Sequence, residues 1–250
     1  MTAEVLGAPP RFDMGRIIQR TFGTVARNWV AFGILALPFS VIPQALLQWD
    51  IVGIRPDTGA GVGPALGFGG GLSLIALVGG FILQAALTYG SVADLNGRRA
   101  SIGECLSVGL RNILPLLGLG VLMGLAVTLG FALFIVPGVL MILAWSVAVP
   151  SLVVERVGVF GAFGRSADLT QGHRGAIFIL LIVFWILSAV IGAAAAAVVS
   201  VAGPVASMIV LGLVRGAETL IWAAGVASIY SELRAIKEGV GPEALAAVFD

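Results

Sequence analysis

The sequence predicts an all-α, polytopic membrane protein with six transmembrane helices, arranged as three hairpins that are each preceded by an amphipathic interfacial helix. Of its 250 residues, 59% are hydrophobic and only 11% are charged, whereas soluble domains carry about 25% charged residues. Several uncharged runs are long enough to cross a bilayer. Short segments between these runs separate their polar and apolar side chains onto opposite helical faces.

The first repeat unit begins at Asp13, whose carboxylate is placed to cap a helix that starts at Met14. This helix is amphipathic on a helical wheel. The apolar arc holds Met14, Ile17, Ile18, Thr21, Phe22 and Val25, and the basic arc holds Arg16, Gln19, Arg20 and Arg27. We expect the helix to lie flat at the membrane surface, with its basic arc against anionic headgroups.

Two uncharged spans complete this unit, at residues 29–49 and 72–93. Pro38 and Pro43 favour a kink in the first span. Residues 50–64 have the composition of a flexible polar loop. The alternative is a helix with a close-packing glycine strip, because glycine recurs at positions 59, 63, 67 and 71.

The second unit follows a turn predicted at Asn96-Gly97. Ser101 and Glu104 have the spacing of a capping box and predict a second amphipathic helix. Its apolar side holds Ile102, Cys105, Leu106, Gly109 and Leu110. The next 42 residues, 113–154, carry no charge; as a helix they would measure about twice a bilayer core of about 30 Å. We therefore expect a hairpin of spans 113–134 and 138–154 that turns at Pro137-Gly138.

The third unit begins with an amphipathic helix at 158–171. Its less polar arc holds Val159, Ala162, Phe163, Ser166, Ala167 and Thr170, opposite Arg165, Asp168 and Gln171. Spans 176–199 and 205–230 follow, with a turn at Gly203-Pro204. We expect one integral membrane domain, 1–250, with units at about 13–93, 100–154 and 158–231. The chain leaves the membrane as a helix up to Glu238, within a C-terminal tail at 232–250.

Twelve of the fourteen Lys and Arg residues lie on one side of the predicted spans. Arg55 lies on the other side and Arg215 inside a span. Basic residues accumulate on the cytoplasmic side of membrane proteins. We therefore expect a multi-pass protein of the bacterial inner membrane with both termini in the cytoplasm.

The residues that most enzymes need are scarce. The chain has one histidine and one cysteine, which cannot build the common zinc sites. Motifs for metalloproteases, serine hydrolases and phosphate-binding loops are absent. We therefore expect no catalytic residue, no metal and no cofactor, with a membrane-embedded enzyme as a minor alternative. No feature predicts binding to nucleic acid.

Arg215 and Glu218 form the sharpest candidate site, because charges within a span cost about 2.5–3.5 kcal/mol each. At i and i+3 they share a helical face and can pair. One interpretation is an intramembrane polar site for a headgroup, an ion or a substrate. Another is a mutually neutralising pair that holds the helix against a neighbour. A third places span six at 219–236, with Arg215 in a loop.

A second group of candidates would contact lipid headgroups at the interface. Its members are Arg16, Arg20, Arg27, Arg111, Glu155, Arg165, Asp168, His173 and Arg174. The plainer interpretation of Arg165, Asp168, His173 and Arg174 is the solvated side of a surface helix.

The segment 137–178 resembles a known membrane domain. The matching residues are Pro137-Gly138, Trp145, Pro150, Glu155, Ala162, Arg165-Ser166, Leu169 and Gly172. They are similar to the membrane domain found beside glycerophosphodiester phosphodiesterases, and to the uncharacterised YciC-like bacterial inner-membrane proteins. The resemblance implies several spans with surface helices. It carries no catalytic activity over, because catalysis in that family belongs to a separate soluble domain.

Two hypotheses for function follow. The first is a non-enzymatic protein that binds or moves a lipid or small amphiphile. The second is a membrane scaffold or accessory subunit that holds a partner protein through its cytoplasmic surface helices. Membrane lipids are the expected partners in the first case; a membrane or cytoplasmic protein, or a second copy of this chain, is the partner in the second.

Overall fold

The computed structural model describes residues 12–43, 46 and 70–239. These residues form helices and contain no β-strand. The first helix is followed by a π-helical turn at Leu37–Val41. In chain order the helices are α1 (Met14–Ala36), α2 (Gly70–Leu95), α3 (Ile102–Arg111), α4 (Ile113–Leu133), α5 (Ile135–Ala144), α6 (Ala148–Glu155), α7 (Gly158–Thr170), α8 (Arg174–Val199) and α9 (Pro204–Glu238).

Six helical segments in this described part are long and apolar enough to cross a membrane. They are Met14–Val41, Ser73–Leu95, Ile113–Leu133, Ile135–Glu155, Arg174–Val199 and Val205–Glu238. The predicted class, an all-α membrane protein with six spans, is confirmed. The end of the first span near Trp49, the region 50–64 with its glycine positions up to 67, and the tail 240–250 lie outside the described residues.

The first amphipathic segment does not form a separate surface helix. From Met14 the chain is helical without a break to Val41, a rod of about 42 Å, and Pro38 lies in the π-helical turn. This rod packs antiparallel along α9, because Glu232 faces Arg16 and Arg20 while Gly216 lies against Ala36 and Val41. Residues 14–28 therefore continue the first span instead of lying flat.

The hairpin between α4 and α5 turns earlier than predicted. Phe134, in extended backbone, separates the two helices. Pro137 lies inside the first turn of α5, where a proline costs no hydrogen bond. Gly138 is needed for a close approach, since a Cβ there would lie 2.6 Å from the ring of Phe131. The Pro-Gly pair therefore tightens the hairpin from within α5.

The span predicted as one helix at 138–154 is broken. α5 ends at Ala144 and α6 begins at Ala148, with three turn residues between them. The break is stabilised from outside, because Ser166 of α7 bonds to both sides of it. Its hydroxyl donates to the carbonyl of Ala144 at 2.8 Å and accepts the N–H of Val147 at 3.2 Å. A single side chain thus satisfies the end of one helix and the start of the next.

The apolar faces of α3 and α7 are covered by protein. Cys105 and Gly109 of α3 are buried, and a Cβ at Gly109 would lie 2.6 Å from the carbonyl oxygen of Ile82 in α2. Ala162 and Thr170 of α7 are fully buried. The apolar faces of these two helices, which the sequence analysis expected to contact lipid, therefore pack against the helix bundle. Amphipathic periodicity is the same for both arrangements, so the sequence pattern does not distinguish them.

Candidate functional site

Nearly all the described ionisable side chains gather at one end of the bundle, which we call the charged end. They are Asp13, Arg16, Arg20, Arg27, Asp94, Arg98, Arg99, Glu104, Arg111, Glu155, Arg156, Arg165, Asp168, His173, Arg174, Glu232, Arg234, Lys237 and Glu238. The sequence-based headgroup candidates all belong to this set. The structure divides them into side chains that pair within the protein and side chains that do not.

Glu232 of α9 is the most buried carboxylate at the charged end, with 1% of its side chain exposed. Arg20 donates to its Oε2 at 2.9 Å, and a guanidinium nitrogen of Arg16 lies 3.5 Å from its Oε1. Two of the predicted headgroup arginines therefore neutralise an internal carboxylate. The sequence analysis placed Glu232 at the start of the C-terminal tail, and its burial follows from the antiparallel packing of α1 along α9.

Arg27 also pairs within the protein. Its Nη2 lies 2.6 Å from Oδ2 of Asp94, and its Nε donates to Oδ1 at 3.4 Å. Thr24 donates to the same carboxylate at 3.0 Å. This fork joins α1 to the last turn of α2, so Arg27 has a role in joining the first two spans.

A cluster of three side chains connects α2 to α3. Tyr89 donates to Oε1 of Glu104 at 2.6 Å, and Arg98 donates to the same oxygen at 2.8 Å. The hydrogen bond from Tyr89 and the positive charge of Arg98 hold the pKa of Glu104 below its ordinary value. Ser101 caps α3 as predicted, accepting the N–H of Glu104 at 3.1 Å. The carboxylate expected to complete the capping box is used by Tyr89 and Arg98 instead.

A cluster of the same chemistry connects α6, α7 and α9. Tyr230 donates to Oε1 of Glu155 at 2.7 Å, and Arg165 donates to Oε2 at 2.7 Å. Arg165 also pairs with Glu238, which accepts from Arg234 at 2.7 Å. Two of the predicted headgroup residues, Glu155 and Arg165, are thus joined to each other and to the last helix.

The other predicted headgroup residues make no side-chain hydrogen bond or ion pair within the part of the chain that the structure describes. Arg111 and Asp168 are exposed, and neither side chain pairs within the described part of the chain; only the backbone carbonyl of Asp168 is engaged, by Lys237. His173 stacks on Phe12 with 5.5 Å between ring centroids. Nδ1 of His173 and Nε of Arg174 are buried without a hydrogen-bond partner. Arg174 is therefore a half-buried cation with no carboxylate beside it among residues 12–43, 46 and 70–239.

Arg215 and Glu218 form the predicted i,i+3 ion pair, with 2.9 Å between Nη1 and Oε2. The Arg215 side chain is 63% exposed on the described bundle, and that of Glu218 is 13% exposed. Arg215 lies about 25 Å along α9 from Glu232. Arg215 is also about 16 Å from Pro204, the first residue of α9. The pair therefore lies within the span, and the helix is continuous through it rather than starting at 219.

An apolar groove runs between α4, α5, α8 and α9, and we call it the α8 groove. Its volume is about 360 Å³, which is within the range of small-molecule pockets. It is lined by Met123, Val139, Ile142, Leu143, Ser146, Phe178, Leu181, Ile182, Trp185, Trp222 and Val226. Ser146 and the two indoles bring the few polar atoms, and Trp222 already donates to Ser188 at 3.1 Å. A second apolar groove, of about 420 Å³, lies between α1 and α9.

The α8 groove begins one helical turn below the charged end. Val226 is one turn from Tyr230 on α9, and Phe178 is one turn from Arg174 on α8. Phe178 and Trp185 are about 10 Å apart along the axis of α8. The arrangement is a hydrocarbon slot with a cation near one end, and none of the described residues that line it is ionisable. No cluster of three metal-ligating side chains occurs among the residues described here.

Sequence reasoning identified individual charges but missed their partners. The sequence contains a signal for these partners, because Tyr89 and Tyr230 lie near the ends of the predicted spans 72–93 and 205–230, on the same side as Glu104 and Glu155. The sequence does not give the position of each helix along its neighbours, which decides the side chains that meet and depends on packing. The groove has no sequence signature, since its lining comes from four helices.

One curated relative supports the membrane assignment. A UPF0259 membrane protein from Pectobacterium carotovorum is 33% identical over 147 residues, which cover 58% of this chain and 57% of the relative. The match thus spans little more than half the length of either protein. This similarity agrees with the resemblance to YciC-like bacterial membrane proteins and lends no support to the phosphodiesterase part of that resemblance. No protein-family model matches the chain, and no solved structure matches it.

Proposed function

We propose that this membrane protein binds or moves a lipid or small amphiphile, without converting it chemically, and that the α8 groove is the binding site. The observation that carries the proposal is the form of the groove. It is long, apolar and open at the side of the bundle, and it starts beneath a half-buried cation. An acyl chain or a similar apolar tail matches such a slot.

Hydrocarbon lining alone gives little preference for the groove over bulk lipid, because lipid tails are as apolar as leucine. Selective binding therefore depends on shape and on polar contacts. Trp185 and Trp222 supply rigid walls with large contact areas. Trp222 is fixed by its hydrogen bond to Ser188 and by packing on Phe184, with 5.9 Å between ring centroids. A preformed wall of this kind lowers the entropy cost of binding.

Native mass spectrometry of the full chain in a neutral detergent tests the proposal. Val139 lines the groove, and Val136 lies three residues earlier on α5, exposed and outside the lining. We expect Val139→Phe to fill the slot and remove most of the retained lipid, because an added ring competes for the same volume. Val136→Phe is the matched control and should retain lipid like the wild type.

Equal lipid retention in Val139→Phe and Val136→Phe would contradict the groove as the binding site. A thermal unfolding curve for each variant separates a filled groove from a damaged fold. Loss of lipid accompanied by an unchanged unfolding midpoint is the expected result.

We also propose that the charged end faces the cytoplasm and that the protein is in the bacterial inner membrane. The excess of basic over acidic side chains at the charged end supports this orientation. Reporter domains fused after Pro56 and after Asp250 test it. The reporter after Asp250 should be active in the cytoplasm and the one after Pro56 outside it; the reverse pattern would overturn the orientation.

The Arg215/Glu218 pair remains a candidate for a second polar site, supported by its position within a span. It lies on faces of α9 other than the one that lines the second groove, where Leu213, Gly216, Ala217 and Leu220 are found. Replacing both residues with leucine tests this idea. Unchanged lipid retention in the double variant would leave the pair with only a packing role.

The scaffold alternative is favoured by one observation at the charged end. Phe160 of α7 is 80% exposed, and its neighbour Val157 is also exposed. An aromatic side chain in this position suits a partner protein or the lipid interface. Phe160→Ser should abolish co-purification of a partner if the scaffold hypothesis holds, and it should leave lipid retention in the α8 groove unchanged.

A further inference from the structure

We infer that the occupant of the α8 groove is an anionic phospholipid, whose phosphate-bearing headgroup binds Arg174 at the start of α8. This inference rests on the proposed lipid-binding function and names its ligand class. It follows from the contrast between Arg174 and the other cations of the charged end. It also follows from the position of Arg174 relative to the groove.

The guanidinium of Arg174 makes no ion pair and no hydrogen bond within the described part of the chain. The guanidinium groups of Arg16, Arg20, Arg27, Arg98, Arg165 and Arg234 all lie beside carboxylates. Arg99, Arg111 and Arg156 lack such partners within the described residues, but they are exposed to solvent. Arg174 alone of the unpaired arginines in this described part is half-buried, with its Nε fully enclosed. An enclosed, unneutralised cation favours an external anion because few water molecules compete for it.

Arg174 is on the face of α8 that lines the groove. Phe178, Leu181, Ile182 and Trp185 follow it at i+4, i+7, i+8 and i+11, which is one stripe of an α-helix. Phe178 lies about 6 Å further along the axis. A headgroup at Arg174 is thus in position to send its acyl chain into the slot that starts at Phe178.

The backbone adds a second source of positive potential. α8 begins at Arg174, and no side chain caps it at His173. The carbonyl of His173 accepts its intrahelical bond from Ile177, so the N–H groups of the first turn are without intrahelical acceptors. Such a helix end attracts anions, and the ring Nδ1 of His173 lies buried beside it without a partner.

The chemistry favours phosphate over other polar headgroups. A guanidinium presents two parallel N–H donors that match two phosphate oxygens. A neutral diacylglycerol offers no charge to Arg174. A zwitterionic phosphatidylcholine brings a quaternary ammonium as well as its phosphate, and no acidic side chain of the described residues pairs with Arg174 to receive that ammonium. Phosphatidylglycerol, with a single negative charge, is therefore the expected class.

Lipid exchange measured by native mass spectrometry tests this inference on the full chain in neutral detergent. Dioleoyl phosphatidylglycerol, dioleoyl phosphatidylcholine and dioleoylglycerol are offered separately and in competition. Wild-type protein should retain phosphatidylglycerol about tenfold better than phosphatidylcholine, which corresponds to one charge-assisted hydrogen-bonding contact. Arg174→Gln should remove that preference while keeping retention of dioleoylglycerol. Arg174→Lys should keep part of that preference, because lysine has the positive charge but lacks the two parallel N–H donors of the guanidinium.

Arg111→Gln is the matched control, because it removes one unpaired arginine at the charged end that is away from α8. Equal effects of Arg111→Gln and Arg174→Gln would show a general charge effect and overturn the inference, as would equal retention of the two phospholipids by the wild type. The wild-type competition needs no variant and tests the preference for an anionic headgroup by itself. If Arg174→Gln fails to fold, Arg174→Lys tests the assignment to Arg174, and an undiminished preference in that variant would contradict it. Competition by glycerol 3-phosphate, which has no acyl chain, would identify a soluble anion instead and contradict the inference.

The two proposals fail in different ways. If Val139→Phe leaves all lipid bound, the groove is not the site and the proposed function fails. If Val139→Phe removes lipid while Arg174→Gln leaves the headgroup preference intact, the groove stands and only the assignment to Arg174 fails.

Discussion

Two clusters at the charged end have the same three side chains and different surroundings. In one, Tyr230, Glu155 and Arg165 join α9, α6 and α7. In the other, Tyr89, Glu104 and Arg98 join α2, α3 and the turn between them. In each, the tyrosine and the arginine both donate to the carboxylate. We call them the α6 cluster and the α3 cluster.

The clusters differ in burial and in reach. The Arg165 and Glu155 side chains are 27% and 16% exposed, whereas those of Arg98 and Glu104 are 60% and 35% exposed. Tyr230 and Glu155 are 75 residues apart in sequence, and Tyr89 and Glu104 only 15. The α6 cluster also extends to Glu238 and Arg234. It therefore fixes tertiary structure, while the α3 cluster fixes one local connection.

The comparison shows that identical chemistry has different energetic weight in different places. Removing a partly buried carboxylate leaves its arginine partner as a buried charge without a counter-charge, and removing the arginine leaves the carboxylate in the same state. When an exposed carboxylate is removed, water replaces its contacts to the partner side chains, and the free energy of unfolding changes little. The following predictions test this difference, in order of decreasing expected effect.

The largest effect is expected from Glu155→Ala. It leaves Arg165 and the hydroxyl of Tyr230 without their acceptor, and we expect the free energy of unfolding to fall by about 2–3 kcal/mol. Glu104→Ala in the α3 cluster is the matched control and should have a clearly smaller effect. The measurement is the midpoint of SDS-induced unfolding in mixed micelles, followed by tryptophan fluorescence. Equal losses for the two variants would contradict the ranking of the clusters.

Ser166→Ala tests the helix break that positions the α6 cluster. It removes the donor to Ala144 and the acceptor for Val147 from a fully buried site. We expect a loss of about 1–3 kcal/mol. Ser101→Ala, which removes the cap of α3, should cost about 1 kcal/mol. The same unfolding assay applies, and a smaller loss for Ser166→Ala than for Ser101→Ala would show that the break does not depend on this hydroxyl.

A smaller effect is expected on acidifying the α3 cluster. The pKa of Glu104 is lowered from 4.5, first by the hydrogen bond from Tyr89. Because the folded-state pKa is below the unfolded one, the stabilisation is complete above pH about 4.5 and is lost as the pH falls through the depressed value. Glu104→Gln should therefore flatten the pH dependence of the unfolding midpoint below pH about 4.5. Parallel curves for wild type and variant would contradict this contribution.

The smallest effect is expected at Cys105, on the buried face of α3. Burial, with a contribution from the negative charge of Glu104, raises the pKa of its thiol to about 11. Native protein should show no appreciable alkylation by a water-soluble maleimide at pH 7.5, and SDS-unfolded protein should react fully. Gly103→Cys in a Cys105→Ser background places a thiol on the exposed face of the same helix and is the positive control. Rapid labelling of native Cys105 would mean that α3 leaves the bundle.

Local rules predicted the helix caps and most of the turns correctly, with the exception of the turn at Pro137-Gly138, which lies inside α5. Asp13 accepts the N–H of Arg16 at 3.1 Å, Ser101 caps α3, and Gly203-Pro204 opens α9. These features depend on residues within one turn of each other, so the sequence contains all the necessary information. The break between α5 and α6 was not predictable in the same way. Its stabilising hydroxyl, Ser166, lies 22 residues from the carbonyl of Ala144.

The resemblance in segment 137–178 acquires a physical meaning from this break. Ser166 bridges it, Arg165 pairs with Glu155, and Trp145 packs on Phe163 with 4.7 Å between ring centroids. Gly172 has a φ of +89°, a conformation that favours glycine. The matching residues thus hold α7 against the broken span, and they are outside the proposed headgroup contact at Arg174.

By itself, the sequence determined that this chain is an all-α membrane protein with six apolar spans and a strong basic asymmetry. The length, hydropathy and charge of each segment are obtained by adding up its residues, so they can be evaluated without knowing how the helices pack. Only the tertiary structure decided that the amphipathic segments dock on the bundle, which arginines pair with carboxylates, which unpaired arginine of the described residues is half-buried, and where a groove opens. Those properties depend on the faces that neighbouring helices present to each other, and the same periodicity is compatible with a lipid surface or a protein surface.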